Sequence, residues 1–359
     1  MKIALSGYYG FDNAGDEALL SAITSSIKSL EPAARFVVFS GHPERTNSLH
    51  GIHAVHYMNP WQVVRELIDS DLLISGGGSI FQDVTSARSL PYYISVVALA
   101  RFLQKPVIFY AQGVGPIKRK FSQMLMRLIA NRVNLITLRD RDSALYLERM
   151  GVTRPPLIIT ADPVFSLEPE PADCERIQNL LEEATGHRQP LLGVAVRNWP
   201  ALEGYQTELA RLLDELAERG YGILFIPMAY PEDMAASHRV MELMKSKAQL
   251  IDKNLDSREH LALISKLDLM IAMRLHALIF AASRGVAFAG ISYDPKIDAF
   301  LKLFGLNPLP SKYSDMKKEL DTLLADNDLR IQIKRKAEEM RRKSEDNARL
   351  ALSLVRRKS

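Results

Sequence analysis

A single cysteine, Cys174, among 359 residues leaves no internal disulfide to form. It lies in the polar segment Asp173-Cys174-Glu175-Arg176 with no second metal ligand beside it, which excludes a disulfide-built fold and fits a reducing cytoplasm. Long apolar runs are also missing. Arg101 and Lys105 bound one candidate stretch, and Arg274, His276 and Arg284 break the other, so neither reaches the ~18 uninterrupted apolar residues of a membrane span. The opening Met1-Lys2-Ile3-Ala4-Leu5-Ser6-Gly7 is too short and too soon interrupted for a secretory signal, and is expected to be a first buried strand. No G-x-S-x-G, no Cys–His framework and no phosphate-cradling P-loop occurs, which leaves little support for a nucleophilic enzyme. His50, His53 and His56 have the spacing of metal ligands on a helix. Ile52, Val55 and Tyr57 between them point instead to an extended segment, in which the three imidazoles do not share a face, so no metal site is expected.

What is present is the composition of a globular protein, 47% hydrophobic and 25% charged, long enough for roughly two domains. Apolar runs rich in Val and Ile alternate with amphipathic stretches, the pattern of parallel sheets covered by helices on both faces. Strands are expected near residues 2–7, 35–40, 52–57, 71–75, 106–111, 134–138 and 157–160. A second series follows near 191–196, 222–227, 249–252, 267–272 and 286–291, separated by helices such as 202–219 and 257–266. Between the two series, residues 162–171 concentrate three prolines among acidic residues and read as a connection. The expected organisation is a Rossmann-like N-terminal domain over 1–168, a linker over 169–172, a second Rossmann-like domain over 173–310 and a basic helical tail over 311–359. Two doubly wound α/β domains facing a cleft would bring their strand C-terminal ends, where ligands bind, to a shared site.

The net charge of +4 hides an asymmetry. From Arg330 to Ser359 there are eleven Lys or Arg against four Asp or Glu, a surplus of seven, so the rest of the chain carries −3. Ile331, Ile333, Met340, Leu350, Leu352 and Val355 recur through this stretch without Pro or Gly, which predicts a helix. It would either pack back on the body as a solvated helix or rest on anionic lipid headgroups, a peripheral membrane contact at the inner face of the plasma membrane. Interleaved aromatics and a nucleic-acid-binding module are both missing, so no nucleic-acid partner is expected.

The expected strand ends carry the chemistry. The first runs into Gly7-Tyr8-Tyr9-Gly10-Phe11-Asp12-Asn13-Ala14-Gly15-Asp16-Glu17, where glycines permit close approach and Asn13, Asp16 and Glu17 supply polar groups at a helix entry, with simple capping as the bland alternative. The spacing is not G-x-G-x-x-G, and acidic residues there would repel a pyrophosphate. The fourth strand ends at Gly76-Gly77-Gly78-Ser79 and the fifth at Gln112-Gly113-Val114-Gly115-Pro116, both built for a ligand lying on the main chain. The sixth delivers Arg139-Asp140-Arg141-Asp142-Ser143. Its two aspartates resemble a metal-holding pair, but the flanking arginines argue for a helix cap at Asp142 or Ser143. In the second series Arg197 follows one strand, Arg274 and His276 another, and Lys296 a third. Cations at successive strand ends, with an imidazole at a helix start, suit a phosphorylated or carboxylated ligand.

Ser6 to Phe11, Asn13 to Ala18, Gly76-Gly77-Gly78, Gln112 to Pro116, Arg139-Asp140, Arg274-Leu275-His276 and Tyr293 to Lys296 together resemble the polysaccharide pyruvyl transferase family, and within it most closely the bacterial CsaB type. The resemblance runs from residue 1 to about residue 305. It implies a GT-B-like fold and transfer of pyruvate from phosphoenolpyruvate, as co-substrate without a further cofactor, to a sugar as a ketal. For the CsaB type it implies a 4,6-ketal on N-acetylmannosamine of a lipid-linked saccharide acceptor, a cell-wall precursor that supports S-layer anchoring. On that basis His276 is the candidate general acid or phosphate contact, and Asp16 or Asp12 the base. Arg139, Arg274, Lys296 and Arg197 would bind the donor, while Asn13, Gly15, Gly77, Gly78 and Gln112 line the loops or meet the acceptor. A nucleotide-sugar glycosyltransferase and a non-catalytic sugar or anion binder are the rival readings.

Overall fold

The computed structural model describes residues 1–76, 78, 80–83, 89–185, 190–199, 202 and 204–356. The chain forms two compact units, the first comprising Met1–Leu167 and Met340–Ser359, the second Glu168–Glu339. The first contains β1 (Lys2–Tyr9), α1 (Ala14–Leu30), β2 (Arg35–Ser40), α2 (Pro43–His50), β3 (His53–His56), α3 (Pro60–Ile68), β4 (Leu72–Gly76) and α4 (Ser89–Phe102). It continues through β5 (Val107–Gln112), α5 (Lys120–Ala130), β6 (Leu135–Leu138), α6 (Arg141–Arg149) and β7 (Leu157–Ile159). The second contains α7 (Pro171–Thr185), β8 (Leu191–Ala195), α8 (Tyr205–Glu218), β9 (Gly222–Phe225), α9 (Met234–Leu243), β10 (Ala248–Leu250) and α10 (Ser257–Ile264). There follow β11 (Leu269–Ala272), α11 (Leu275–Ser283), β12 (Ala287–Gly290), α12 (Pro295–Leu303) and α13 (Tyr313–Ala325). A last helix, α14 (Leu329–Arg356), belongs to the second unit in its first part and to the first unit in the remainder.

Both sheets are wholly parallel. The first has the order β3-β2-β1-β4-β5-β6-β7 and the second β10-β9-β8-β11-β12. Unbroken apolar strands produce this arrangement because both faces of each strand need cover. In the first unit Ile3, Leu5, Val38 and Ile74 join the core on one face, while Ala4, Val37, Phe39 and Leu73 join the core on the other, following the twofold alternation of side chains. Helix starts are fixed locally. Asn13 accepts from the Gly15 amide to cap α1, Asn59 precedes Pro60 to open α3, and Asp256 with Glu259 makes a reciprocal capping box on α10.

Three expectations change here. The proline-rich connection is partly core: Pro163, Val164 and Phe165 are buried in a 3-10 turn of the first unit, the units divide between Leu167 and Glu168, and Pro171 already opens α7. The stretch expected as a separate tail from residue 311 is divided between the units, the second running on to Glu339 and the first taking the rest, and of its two expected destinations it takes the body. Ile333 and Met340 are buried, Ala348, Ala351 and Leu352 complete the core over α1, and Asn347 joins Thr160 and the Ala161 carbonyl, leaving Ile331 as the exposed exception. Packing on the body therefore takes most of the apolar face that a lipid contact would need. At the sixth strand the cap is Asp140, whose carboxylate accepts from the Ser143 amide at 2.6 Å, rather than Asp142 or Ser143.

In each sheet the strand order reverses once, between β1 and β4 in the first unit and between β8 and β11 in the second. Crossovers leave in opposite directions at such a point and open a crevice above the strand C-terminal ends, which is where open α/β sheets bind ligands. The loops after β1, β4, β8 and β11 are those that the sequence marks as chemically unusual.

Candidate active site

In the second unit, Ala195, Ala272 and Gly290 stand side by side at the ends of β8, β11 and β12. Two residues beyond the first two come Arg197 and Arg274, and three beyond the last comes Tyr293. Arg197 Nη1 donates to the Tyr293 hydroxyl at 3.0 Å, joining the outer two strand ends across the one that carries Arg274. The Arg197 guanidinium also lies 5.2 Å from the Trp199 ring and 5.1 Å from the Tyr293 ring, and Tyr205 donates to the Arg197 carbonyl at 2.7 Å. Its Nε is buried with no hydrogen-bond partner among the described residues. Arg274 differs. Asp233 accepts from its Nε at 2.9 Å and its Nη2 at 2.5 Å, and that buried carboxylate also accepts from the Ala229 amide at 3.1 Å. The fork-to-fork pair fixes the guanidinium plane and offsets part of its charge. Arg274 is the N-cap of α11 without capping through its side chain, so the helix opens with its amides toward the strand end and the half-buried His276 in its first turn. Lys296 opens α12 with its amide on the Asp294 carboxylate at 3.0 Å and its ammonium 3.5 Å from the same group. A planar cation, a fixed cation, an imidazole and a helix N-terminus thus gather at one strand-order reversal, a set suited to a small polyanion.

In the first unit the corresponding point holds carboxylates and rings. The backbone turns at Gly10, with φ +78°, and at Asp12, with φ +57°. Asp12 pairs with Arg45 at 2.6 Å. Glu17 is buried, accepts from the Gly10 amide at 2.7 Å and lies 2.7 Å from His50 Nε2, so it staples the loop to α2 rather than facing a ligand. Asp16 stands in the first turn of α1, and a Cβ on Gly78 would come within 3.0 Å of its Oδ1. With φ +69°, Gly78 both permits the turn and lets it approach that carboxylate. Tyr9 donates to the Gly76 carbonyl at 2.6 Å, and burial, followed by the charges of Asp16 and Glu17, holds its phenol well above the usual range. Tyr93 is raised likewise by burial and then by Asp16, so both phenols stay protonated and neither is a base near neutral pH. An aromatic array adjoins the loop. Tyr8 stacks on Phe11 with centroids 4.3 Å apart, Phe11 meets Tyr57 edge-on, and Tyr57 leads to Tyr92 and Tyr93.

The family model for polysaccharide pyruvyl transferases matches residues 13–295. The chain belongs to that family. A curated relative, the amylovoran biosynthesis protein AmsJ of Erwinia amylovora, is 23% identical over 278 residues, covering 72% of this chain. The chain spans 65% of that relative's length. Among solved structures, the UDP-GlcNAc 2-epimerase of Neisseria meningitidis bound to UDP-GlcNAc matches with a TM-score of 0.67 at 13% identity, covering 98% of this chain and 100% of that one. HepE of Anabaena in complex with UDP-glucose matches with a TM-score of 0.61 at 14% identity, over 100% of this chain and 99% of that one. Identities this low establish the architecture, two GT-B-like Rossmann units, and leave the chemistry to the side chains.

The family frame sorts the expected residues. Arg197, Arg274, His276 and Lys296 lie on the loops of three adjacent strands, β8, β11 and β12. Asp12, Asn13, Gly15, Asp16 and Gly78 share the β1/β4 reversal; Asn13 and Gly15 form the α1 cap, and Gly77 lies outside the described residues. Arg139 stands apart, at the end of β6, two strands beyond β4. Its Nη1 pairs with Asp162 at 2.9 Å, both side chains nearly buried, and its guanidinium packs on Gly113, where any Cβ would collide with it. Gln112 is fully buried at the end of β5, and its carboxamide has no partner among the described residues. The histidine trio does not gather: His50 ends α2 beside Glu17, whereas His53 and His56 lie on β3. Asp233, Trp199 and the array from Tyr8 to Tyr93 escaped sequence reasoning. Trp199, two residues after Arg197 and one of two tryptophans in the chain, was a usable signal; Asp233, 41 residues from its partner, was not.

Proposed function

We propose that the protein transfers pyruvate from phosphoenolpyruvate to two hydroxyls of a saccharide, forming a ketal and releasing phosphate. The observation that carries this reading is the Arg197–Tyr293 hydrogen bond, which joins the loops after β8 and β12 across the β11 end that bears Arg274 and His276, with Lys296 three residues beyond Tyr293. Phosphoenolpyruvate carries a phosphate, through its ester oxygen, and a carboxylate on the same carbon. A planar guanidinium, a second guanidinium held in plane, an ammonium and a helix N-terminus suit that charge distribution. In the reaction a proton adds to the enol methylene, and a sugar hydroxyl attacks the cationic C2 while giving up its own proton. The C2–O bond to phosphate then breaks, and a second hydroxyl closes the ketal and loses its proton. His276 is assigned the acid that serves the donor, with Arg197 and Lys296 as its anion contacts and Arg274 as a rigid neighbour. Asp16, beside the Gly78 turn and close enough to Tyr9 and Tyr93 to raise both phenols, is assigned the base for the acceptor hydroxyl, with Asp12 its competitor. The Tyr8–Phe11 stack offers a ring surface for the apolar face of a sugar. The finer reading is a 4,6-ketal on N-acetylmannosamine of a lipid-linked cell-wall precursor, in support of S-layer anchoring. It rests on the likeness to the CsaB type.

A second reading, a nucleotide-sugar glycosyltransferase, draws on Trp199 and Tyr293 flanking Arg197, a set that could stack a base. One experiment separates the two. Phosphate release from phosphoenolpyruvate is followed with and without synthetic N-acetylmannosaminyl-N-acetylglucosamine, and the sugar is weighed by mass spectrometry. Acceptor-dependent release with a pyruvylated product is the expected result. Turnover of a UDP-sugar with phosphoenolpyruvate untouched would replace pyruvyl transfer by glycosyl transfer.

A further inference from the structure

Helix α5 has two apolar faces where a surface helix needs one. Ser122, Met126, Ile129 and Ala130 are buried, and the last three belong to the core shared with α4 and α6. On the opposite side Phe121, Met124 and Leu128 are 64%, 56% and 48% exposed. Spacings of three and four residues align them as one outward strip. Around the strip stand Lys118, Arg119, Lys120, Arg127 and Arg132, all exposed. Residues 118–132 hold these five cations and no acid, a denser positive charge than the C-terminal stretch carries.

The strip is presented on a rigid frame. Asp83 accepts from the Lys118 amide at 2.7 Å and from the Arg119 amide at 2.9 Å, just before the helix begins. Burial alone would raise the Asp83 carboxyl, but those amides, the Ser122 hydroxyl and the Arg119 charge outweigh it and hold the group below its usual range. Phe102 ends the neighbouring α4 fully in the open, and Arg101 beside it donates to Asn134, four residues after α5. Among the described residues no helix is long and apolar enough to cross a membrane.

We propose that α5 is a docking helix for an anionic phospholipid surface, a function beyond the transfer reaction. Phe121, Met124 and Leu128 enter between headgroups while the five cations rest on lipid phosphates, the arrangement of an interfacial amphipathic helix. Two features favour lipid over a protein partner. The charge is of one sign, matching a uniform anionic plane, and the apolar strip runs along the crest of a helix instead of lining a pocket. Nucleic acid fits less well, since an apolar strip with a single ring, Phe121, at the centre of the contact has nothing to pair with phosphates. Because α14 spends most of its apolar residues on the body, α5 supplies the apolar contact that the C-terminal helix withholds.

The test uses the full chain and sedimentation with vesicles, either of phosphatidylglycerol and phosphatidylcholine in equal parts or of phosphatidylcholine alone. The protein is expected to bind the anionic vesicles, less so as salt is raised. The triple variant Phe121→Ser, Met124→Ser, Leu128→Ser should lower the partition coefficient about tenfold or more, since each exposed apolar side chain contributes to insertion. Its melting temperature should be unchanged. Arg341→Gln with Arg342→Gln, on α14, should leave binding nearly intact. No binding by the wild type, or equal binding by the triple variant, would overturn the proposal. A wild-type dimer that the triple variant converts to monomer, with no vesicle binding by either, would assign the strip to a second copy and also overturn it. None of these readouts depends on the donor or the sugar.

Discussion

The two strand-order reversals have the same topology and opposite chemistry. In the first unit, β1 and β4 end among Asp12, Asp16, Glu17 and a run of aromatic rings; in the second, β8 and β11 end among Arg197, Arg274 and His276. Each crevice follows from parallel strands and crossover helices, so the backbone decides only where a ligand can sit. The loops decide which one. Carboxylates and rings suit a neutral polyol, whereas guanidinium groups and a helix N-terminus suit a compact anion. Repeating one scaffold with different loops thus gives one chain two crevices of contrasting charge.

That contrast breaks most readily at its titratable groups. His276→Ala should lower turnover by about 10²- to 10⁴-fold with the fold intact, and Asp16→Asn should fall within the same range while Asp12→Asn falls far less. Full activity in folded His276→Ala would remove the imidazole from the reaction, and equal losses at the two aspartates would dissolve the distinction between them. Next come the arginines. Arg139→Ala leaves the buried Asp162 carboxylate without its partner and should destabilise the protein by about 3 kcal/mol, read as a lower melting temperature. Arg197→Ala should spare stability and raise the apparent donor KM about tenfold, the cost of one charge-assisted contact. If Arg139→Ala instead raised KM with an unchanged melting temperature, the donor would reach β6. The smallest effect lies away from both sites. Lys317, Tyr313 and Arg219 on one side of α8 hold Glu215 at about 2, against an ordinary 4.5, by hydrogen bonds that outweigh its burial. A lowered carboxyl contributes stability above its unfolded value and loses it as pH falls toward its folded value. The gap in denaturation midpoint between wild type and Glu215→Gln should therefore be full above pH 4.5 and close toward pH 2; a constant gap would mean that α13 is not held by that charge.

Local pattern carried most of the architecture. The apolar runs at 35–40, 106–111 and 191–196 became β2, β5 and β8 within a residue or so, because a strand buried on both faces has few other ways to be written. The long basic helix was also legible, from apolar spacing without Pro or Gly. Its destination was not, since Ala348 and Leu352 look the same whether they face a core or a membrane. Charge pairing was the least legible part. The cations at strand ends could be read in order, but nothing near Arg274 announces Asp233, nor anything near His50 its partner Glu17, because such pairs form only once separate elements pack. The phenols around Asp16 come from β1 and α4, a neighbourhood that no spacing encodes.

The division of α14 between the units bears on how the protein is made. A ribosome delivers the first unit's seven strands early, yet the face over α1 stays uncovered until Ala348, Ala351 and Leu352 emerge, after the whole second unit has been synthesised. The unit begun first is completed last. During translation its exposed apolar face is a ready target for chaperones or for wrong partners. A gene split at codon 168 would yield an N-terminal fragment that never acquires its closing helix, whereas one that carries residues 340–356 behind a short connector should fold.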